Sequence, residues 1–269
     1  MDAVMPSAET LLDPRVADRT IHGQGTSERE WRGWDGLPRL MPVSIDALAA
    51  PGKRVVVVAP HPDDEVLGCG GTLSLLARAG HDIEIVSLTD GEGSHQGSLA
   101  WTPTLLARQR RGERAEGLER LGLTSRAQEM GLPDGGIAPR ERELAARLHD
   151  LMRPGDVVFA TWRLDGHPDH EAAGRAAACA AARRGCRLWE FPVWMWHWAV
   201  PGDRRVPWGR MSRVALDGPT RERKSRAIAA HGSQLVETPA EHRAPVLPDW
   251  ALARLLRPFE AFISSEASS

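Results

Sequence analysis

Tyrosine is absent from this chain of 269 residues, whose aromatic side chains are ten Trp and four Phe. No phenolic hydroxyl is therefore available to any site. Cysteine is scarce: the chain has only Cys69, Cys179 and Cys186. Their number is odd, and they lack the paired spacing of zinc-binding or disulfide-rich chains. These cysteines predict reduced thiols in a cytoplasmic protein.

Charge of one sign and long apolar runs are also lacking. The formal net charge is −2 with both signs mixed, so the chain has no basic surface typical of nucleic-acid binding. No apolar run reaches about 18 residues, the length that indicates a transmembrane helix. Residues 1–14 lack the basic and apolar segments of a secretory signal. We therefore expect no nucleic-acid partner and no membrane span. The oligomeric state is not readable from the sequence.

Strand and helix patterns alternate along the chain from residue 53 onward. The first strand is the buried-type run Val55 to Val58, and this alternation is typical of βαβ units with right-handed crossovers. The predicted strands cover residues 54–59, 82–88, 127–131, 156–161, 188–198 and 214–217, and the predicted helices cover 70–79, 105–121, 140–152, 171–184 and 220–231. The predicted fold class is α/β: a Rossmann-like, mostly parallel sheet flanked by helices, with an irregular N-terminal extension.

The composition divides the chain into three segments. Residues 1–50 are polar and interrupted by Gly and Pro, with one short helix expected over 45–48, and they could form a lid, a partner contact or a disordered arm. Residues 51–263 form the predicted α/β domain. Residues 264–269 are small and polar, which indicates a flexible tail.

Histidine and carboxylate side chains gather where two predicted strands end. Pro-His-Pro-Asp-Asp-Glu at Pro60–Glu65 follows the first strand, and Asp-Gly-His-Pro-Asp-His at Asp165–His170 follows the strand over 156–161. The carboxyl ends of parallel strands share one sheet edge, where ligands of open α/β sheets bind. Imidazole and carboxylate groups at such an edge indicate a divalent metal ion.

The predicted ligands of this ion are His61, Asp64 and His170. Three protein ligands that leave a position open are typical of catalytic zinc sites, so we expect one Zn²⁺ per chain. Iron, manganese or cobalt could replace it, because this ligand set does not choose strongly among them.

Three further residues of the two motifs could carry the reaction. Asp63 is free to act as general base toward a water molecule made acidic by the metal. A cationic His167 could donate a hydrogen bond to a developing oxyanion, or His167 could protonate a leaving amine. Asp169 could orient one of the imidazoles.

The two motifs together resemble those of the LmbE-like, or PIG-L, deacetylases, over roughly residues 53–200. The resemblance implies a zinc-dependent N-deacetylase of N-acetylglucosaminyl groups on a small molecule or glycoconjugate, with the same metal ligands. It implies Asp63 as base and His167 as the electrostatic or acid partner. It also implies that Arg110, in an Arg-x-x-Glu sequence, contacts a sugar hydroxyl or phosphate, and that Asp134, in Leu-Pro-Asp-Gly, holds sugar hydroxyls.

One position departs from relatives that carry a tyrosine two residues before the first distal histidine. This chain has Asp165 there, and its carboxylate could fix His167 or bind a substrate amine.

Tryptophans are the other candidates for substrate contact. Trp101 and Trp162 could stack on a sugar ring or a bulky aglycone, although packing is the alternative, and the alternation of Trp residues at 194, 196 and 198 predicts a strand.

His231 is a secondary candidate. It lies in Ala-His-Gly-Ser-Gln, which resembles a stretch near the active-site rim of several relatives. By itself, a histidine at the end of a helix is usually a favourable cap.

Three other functions remain open at the level of sequence. A zinc amidohydrolase could act on a non-sugar N-acyl compound. A magnesium-dependent phosphohydrolase would prefer oxygen ligands alone, which three histidines disfavour. A sugar-binding module without turnover would leave Asp63 with no evident role.

Overall fold

The computed structural model describes residues 19–124, 127–237 and 244–265. In these ranges eight strands form one sheet in the order β1-β7-β8-β6-β5-β2-β3-β4, in which β8 is antiparallel to β6 and β7 and every other pairing is parallel. The strands are β1 (Met41–Pro42), β2 (Val55–Ala59), β3 (Ile83–Ser87), β4 (Gln128–Glu129), β5 (Val157–Thr161), β6 (Arg187–Phe191), β7 (Met211–Ala215) and β8 (Phe259–Ser264). The fold is therefore the α/β class that the alternating pattern predicted.

Helices cover both faces of the sheet. They are α1 (Glu28–Arg32), α2 (Gly36–Arg39), α3 (Ile45–Leu48), α4 (Asp64–Arg78), α5 (Pro103–Leu121), α6 (Glu141–Leu151), α7 (Pro168–Arg184), α8 (Met195–Trp198), α9 (Gly218–Ile228), α10 (Gly232–Leu235) and α11 (Asp249–Leu255), with 3₁₀ turns at Ala138–Arg140 and Trp208–Arg210. None of the helices in the described ranges is both long and apolar enough to cross a bilayer.

The central strand β2 shows why the sheet needs two cores. Val55 and Val57 pack on one face and Val56 and Val58 on the other, all without solvent exposure. On the second face the alanines of α7 allow close approach of the helix. A Cβ placed at Gly174 would lie 2.5 Å from the carbonyl oxygen of Thr161, so only glycine fits this contact between α7 and β5.

The described part of the N-terminal extension is irregular but packed. Three short helices and β1 lie within it, including the helix expected over 45–48. Trp31 is fully buried, and its indole N–H donates to the carbonyl of Trp196. Residues 1–18 of the extension and 266–269 of the expected tail lie outside the described residues.

Two local predictions are wrong, and one strand was not predicted. The strand expected over 188–198 ends at Phe191, and Met195–Trp198 is a helix, because apolar residues two apart also satisfy a helix that is buried on all sides. Helix α4 begins at Asp64 rather than at residue 70, so its glycines lie inside the helix. The antiparallel strand β8 was not predicted; it completes the sheet between β6 and β7.

Candidate metal centre and active site

The two motifs meet at the carboxyl edge of the sheet. The first follows β2 and the second follows β5, and these strands are parallel neighbours. The chain continues from β2 into β3 on one side and reaches β5 on the other, so the motifs lie at a topological switch point, where crevices form in such sheets. A cavity of about 270 Å³ opens there, with His61, Asp64 and His167 among its lining residues.

The expected ligands come together around the carboxylate of Asp64. One of its oxygens lies 3.1 Å from Nδ1 of His61, and the other lies 3.2 Å from Nε2 of His170. Candidate ligand atoms of His61, His167 and His170 all lie within 4.8 Å of one another. His61, Asp64 and His170 are buried. Two imidazole nitrogens that contact one carboxylate fit the donor set of a transition metal.

An unsatisfied atom supports the same conclusion. Nε2 of His170 is buried and makes no hydrogen bond of acceptable geometry among the described residues, although Oδ1 of Asp64 lies 3.2 Å away. Nδ1 of the same ring lies 2.8 Å from Oδ2 of Asp165. A proton on Nδ1 directed to this carboxylate would leave the lone pair of Nε2 for a cation, an arrangement common for metal-binding histidines.

The electrostatics of the centre also suit a cation. Burial lowers the pKa of His170, but the negative charge of Asp64 and the hydrogen bond with Asp165 outweigh it and raise that pKa to about 9. Burial raises the pKa of Asp64, but the positive charge of His170 holds that pKa well below its ordinary value. The carboxylates thus attract positive charge to this point, whether a proton or a metal ion.

Asp165 is fully buried and makes no contact with the cavity. Besides His170, its carboxylate accepts the backbone N–H groups of Val193, Trp194 and Met195. The expectation that it binds substrate is therefore wrong. The other expectation, that it fixes His167, is also wrong, because its carboxylate holds His170 instead.

Asp63 is separate from this set of contacts. It lies at the N-cap of α4 and lines the cavity. Its Oδ2 accepts a hydrogen bond of 3.0 Å from Arg110, whose other terminal nitrogen donates to the carbonyl of Gly91. Arg110 is buried at the cavity wall and orients Asp63, while its Nε–H has no hydrogen-bond partner among the described residues, so its expected contact with a sugar hydroxyl or phosphate stays a prediction.

His167 is neutral in this arrangement. Its Nδ1 accepts the backbone N–H of Asp169, which leaves the ring proton on Nε2. Burial, followed by the positive charges of His170 and His61, lowers the pKa of His167 to about 3. The cationic form that the sequence allowed is therefore not the resting one, and the ring offers a neutral N–H donor to the cavity.

Asp134 and Asp169 lie on the other side of His61. Nε2 of His61 is 3.2 Å from Oδ1 of Asp134 and 3.4 Å from Oδ2 of Asp169. Asp169 is fully buried and accepts the backbone N–H groups of Gly135 and Ile137, in keeping with an orienting role. Asp134 lines the cavity and accepts from the N–H of Gly93, so its expected contact with substrate remains geometrically possible.

The tryptophans expected at the substrate are not at the cavity wall. Trp162 is buried and stacks on Trp198 at 6.1 Å between ring centroids. Trp101 is near His95 in the loop before α5 and is not among the residues that line the cavity. Packing therefore explains Trp162, and the expected contact of Trp101 with substrate stays a prediction.

The sequence did not identify several residues of the wall. Trp194 follows β6 and lines the cavity beside Val193, and Gln234 and Leu247 come from the C-terminal third of the chain. The place of Trp194 could not be inferred, because it lay inside the strand predicted over 188–198, whereas the strand ends at Phe191. Gln234 and Leu247 carry no signal either, because neither follows a strand.

These features define a class: an α/β protein with a buried His–Asp centre suited to a metal ion at the carboxyl edge of its sheet. Comparison with known proteins gives the family. The PIG-L family, described as GlcNAc-PI de-N-acetylase, matches residues 56–181. The chain belongs to this PIG-L (LmbE-like) family, as its two motifs predicted.

Three relatives illustrate the similarity. Diacetylchitobiose deacetylase from Thermococcus kodakarensis is 34% identical over 128 residues, which are 45% of this chain and 46% of that protein. The 1D-myo-inositol 2-acetamido-2-deoxy-alpha-D-glucopyranoside deacetylase from Rhodococcus erythropolis is 25% identical over 249 residues, 72% of this chain and 85% of that protein. The crystal structure of the conserved protein TT1542 from Thermus thermophilus is 31% identical, with a TM-score of 0.55, and covers 81% of this chain and 96% of that one. The chain thus spans about half the length of the first of these relatives.

Proposed function

We propose that this chain is a zinc-dependent N-deacetylase that hydrolyses the acetamide of an N-acetylglucosaminyl-type sugar. One observation carries the proposal: His61, Asp64 and His170 converge at a cavity beside Asp63, a carboxylate outside the cluster. The names of the relatives support the substrate class, because two of them are deacetylases of 2-acetamido sugars.

The three ligands would hold the cation with one imidazole already oriented. A bound zinc ion would supply Lewis acidity that polarises a carbonyl and lowers the pKa of water. Asp63 accepts the proton of the attacking water and delivers it to the leaving nitrogen, and Arg110 holds its carboxylate in place meanwhile. A base placed in this way typically contributes about 10²–10⁴ in rate.

His167 would act on the oxygen of the amide. Its Nε2–H is free of the backbone contact that Nδ1 makes, and it can donate to the oxyanion that develops on the carbonyl. A neutral imidazole is sufficient for this role when it is pre-positioned in a buried site. Asp134 would accept a sugar hydroxyl at the same wall of the cavity.

The alternative functions fit the centre less well. A magnesium site would be built from oxygen ligands, whereas three imidazoles cluster here. A binding module without turnover would have no use for the buried pair of Asp63 and Arg110. A non-sugar N-acyl compound would satisfy the same chemistry, so it is the alternative to exclude by experiment.

A screen for amine release tests the proposal. The 269-residue chain is loaded with Zn²⁺ and incubated with four kinds of substrate. These are N-acetylglucosamine, diacetylchitobiose, 1D-myo-inositol 2-acetamido-2-deoxy-alpha-D-glucopyranoside and N-acetylated amino acids. We expect amine release from at least one of the sugars and little from the amino acids. Release from amino acids alone would refute the sugar assignment, and release from none would refute deacetylation.

A further inference from the structure

His231 is a buried imidazole neither of whose ring nitrogens makes a hydrogen bond of good geometry among the described residues, although the carbonyl of Pro62 lies near enough to act on the ring. A neutral imidazole carries one donor and one acceptor, and leaving such groups unsatisfied costs about 1–3 kcal/mol each. The backbone of the residue is satisfied at both ends, since its N–H donates to Ile228 and its carbonyl accepts from Gln234. The unsatisfied ring therefore calls for a reason other than the local fold.

The ring lies where three elements of the active site meet. The groups that act on it electrostatically are Asp63, Arg110 and Glu113, and the backbone carbonyl beside it is that of Pro62. Helix α5 approaches so closely that a Cβ at Gly117 would lie 2.9 Å from Nε2 of His231. The imidazole is thus confined between α5 and the loop that presents Asp63.

The segment that carries His231 is anchored firmly. Glu113 on α5 accepts both the backbone N–H and the hydroxyl of Ser233, at 2.7 and 2.6 Å. The next residue, Gln234, lines the cavity and donates to the hydroxyl of Ser233. An anchored segment fixes the place of the ring while leaving its two nitrogens unused.

We propose that His231 is a positioning residue for Asp63: its ring N–H bonds the Pro62 carbonyl and so holds the Pro62–Asp63 peptide when the cavity is filled. Burial lowers the pKa of His231, which keeps the ring neutral with a single N–H. Catalytic hydrogen bonds are often long in empty sites and tighten with substrate. The inference rests on the proposed deacetylation, in which Asp63 is the base.

Steady-state kinetics of three variants test this role. His231→Phe keeps the ring shape without a donor, and His231→Asn and His231→Gln each restore one N–H. We expect the kcat of His231→Phe to fall by about tenfold, the value of one hydrogen bond, with KM within about twofold. At least one amide variant should recover most of kcat. His149→Gln, at a partly exposed histidine of α6, is the matched control.

The outcomes separate positioning from mere packing. The proposal is wrong if all three variants keep the kcat of the wild type. It is also wrong if kcat, KM and thermal stability all worsen together and neither amide variant rescues them. If His231→Phe does not fold, the comparison of the two amide variants with the wild type still decides it, because a structural role gives no split between kcat and KM.

A measurement without turnover distinguishes failure of this inference from failure of the proposed function. Ring ¹⁵N shifts of His231 are recorded in the zinc-loaded protein and assigned with His231→Gln, with acetate as the probe that fills the cavity. We expect a neutral ring in a single tautomer whose N–H signal shifts when acetate is added. A mixture of tautomers that acetate leaves unchanged would overturn the positioning role even if the enzyme deacetylates sugars.

Discussion

Asp63 and Asp64 are adjacent in sequence, yet their carboxylates have different partners. Asp64 contacts two imidazoles, whereas Asp63 contacts Arg110. The division arises at the start of α4, where Asp63 is the N-cap and Asp64 the first helical residue. Neighbouring carboxylates can thus serve as ligand and base within one turn.

Replacing Asp63 tests this division. Asp63→Asn removes the proton acceptor but keeps the shape and the contact with Arg110, so we expect kcat to fall by about 10²–10⁴. Bound zinc should stay near one equivalent, measured by elemental analysis of the dialysed protein. Loss of zinc in this variant would show that Asp63 is a ligand and not the base.

Replacing Asp165 tests the support of a ligand. Asp165→Asn keeps most of the volume but weakens the hold on His170, and loss of such a partner typically lowers metal affinity by about 10–100-fold. Zinc affinity is measured by competition with a chelator, and exposed Asp150→Asn is the control. Equal affinity in both variants would contradict the orienting role.

At the scale of elements, the sequence predicted most strands and helices because their periods were clear. Val55 to Val58 alternate between two cores, and the motif after β5 begins a helix with His167 as N-cap. The convergence of His61, Asp64 and His170 could be predicted because both motifs follow parallel strands. The strand predicted at Trp196 and Trp198 was wrong, because short apolar runs fit a buried helix as well as a strand.

The middle of α4 is tied to distant parts of the chain by a buried ion pair. Glu260 accepts the backbone N–H groups of Gly71 and Thr72, and Lys224 lies 2.7 Å from Glu260 and donates to the carbonyl of Leu67. No sequence pattern links these positions. The pair fixes the helix whose first turn carries Asp64.

Breaking this pair should destabilise the protein. Lys224→Met leaves the charge of Glu260 buried and unpaired, so we expect the free energy of unfolding in urea to fall by about 3–5 kcal/mol. The double variant with Glu260→Gln should recover part of the loss. Arg120→Met, in the exposed pair with Glu116, should change stability by less than about 1 kcal/mol. If Lys224→Met loses no more stability than Arg120→Met, the stabilising role of the buried pair is refuted.

At the scale of the whole molecule, the N-terminal extension is part of the fold in its described range. Trp31 packs against Trp196 with ring centroids 5.2 Å apart, and Arg257 pairs with Glu28. The sequence left the role of the extension open, because its two tryptophans, Trp31 and Trp34, stand among polar residues and give no period.

Truncation of one side chain tests this packing. Trp31→Ala opens a large cavity in the core, and such a change typically costs about 3–5 kcal/mol. Leu105→Ala, at a half-exposed position of α5, should cost less than about 0.5 kcal/mol. Thermal or urea unfolding measures both. Equal stability of the two variants would show that the extension is not integral to the fold.

The most direct test of the account as a whole is a titration of turnover against bound metal. The chain is stripped with a chelator and dialysed, zinc is returned stepwise, and amine release from the best N-acetylated sugar is followed. We expect no release at zero equivalents and a linear rise that ends at one zinc per chain. Turnover retained by the fully stripped protein would contradict the central claim.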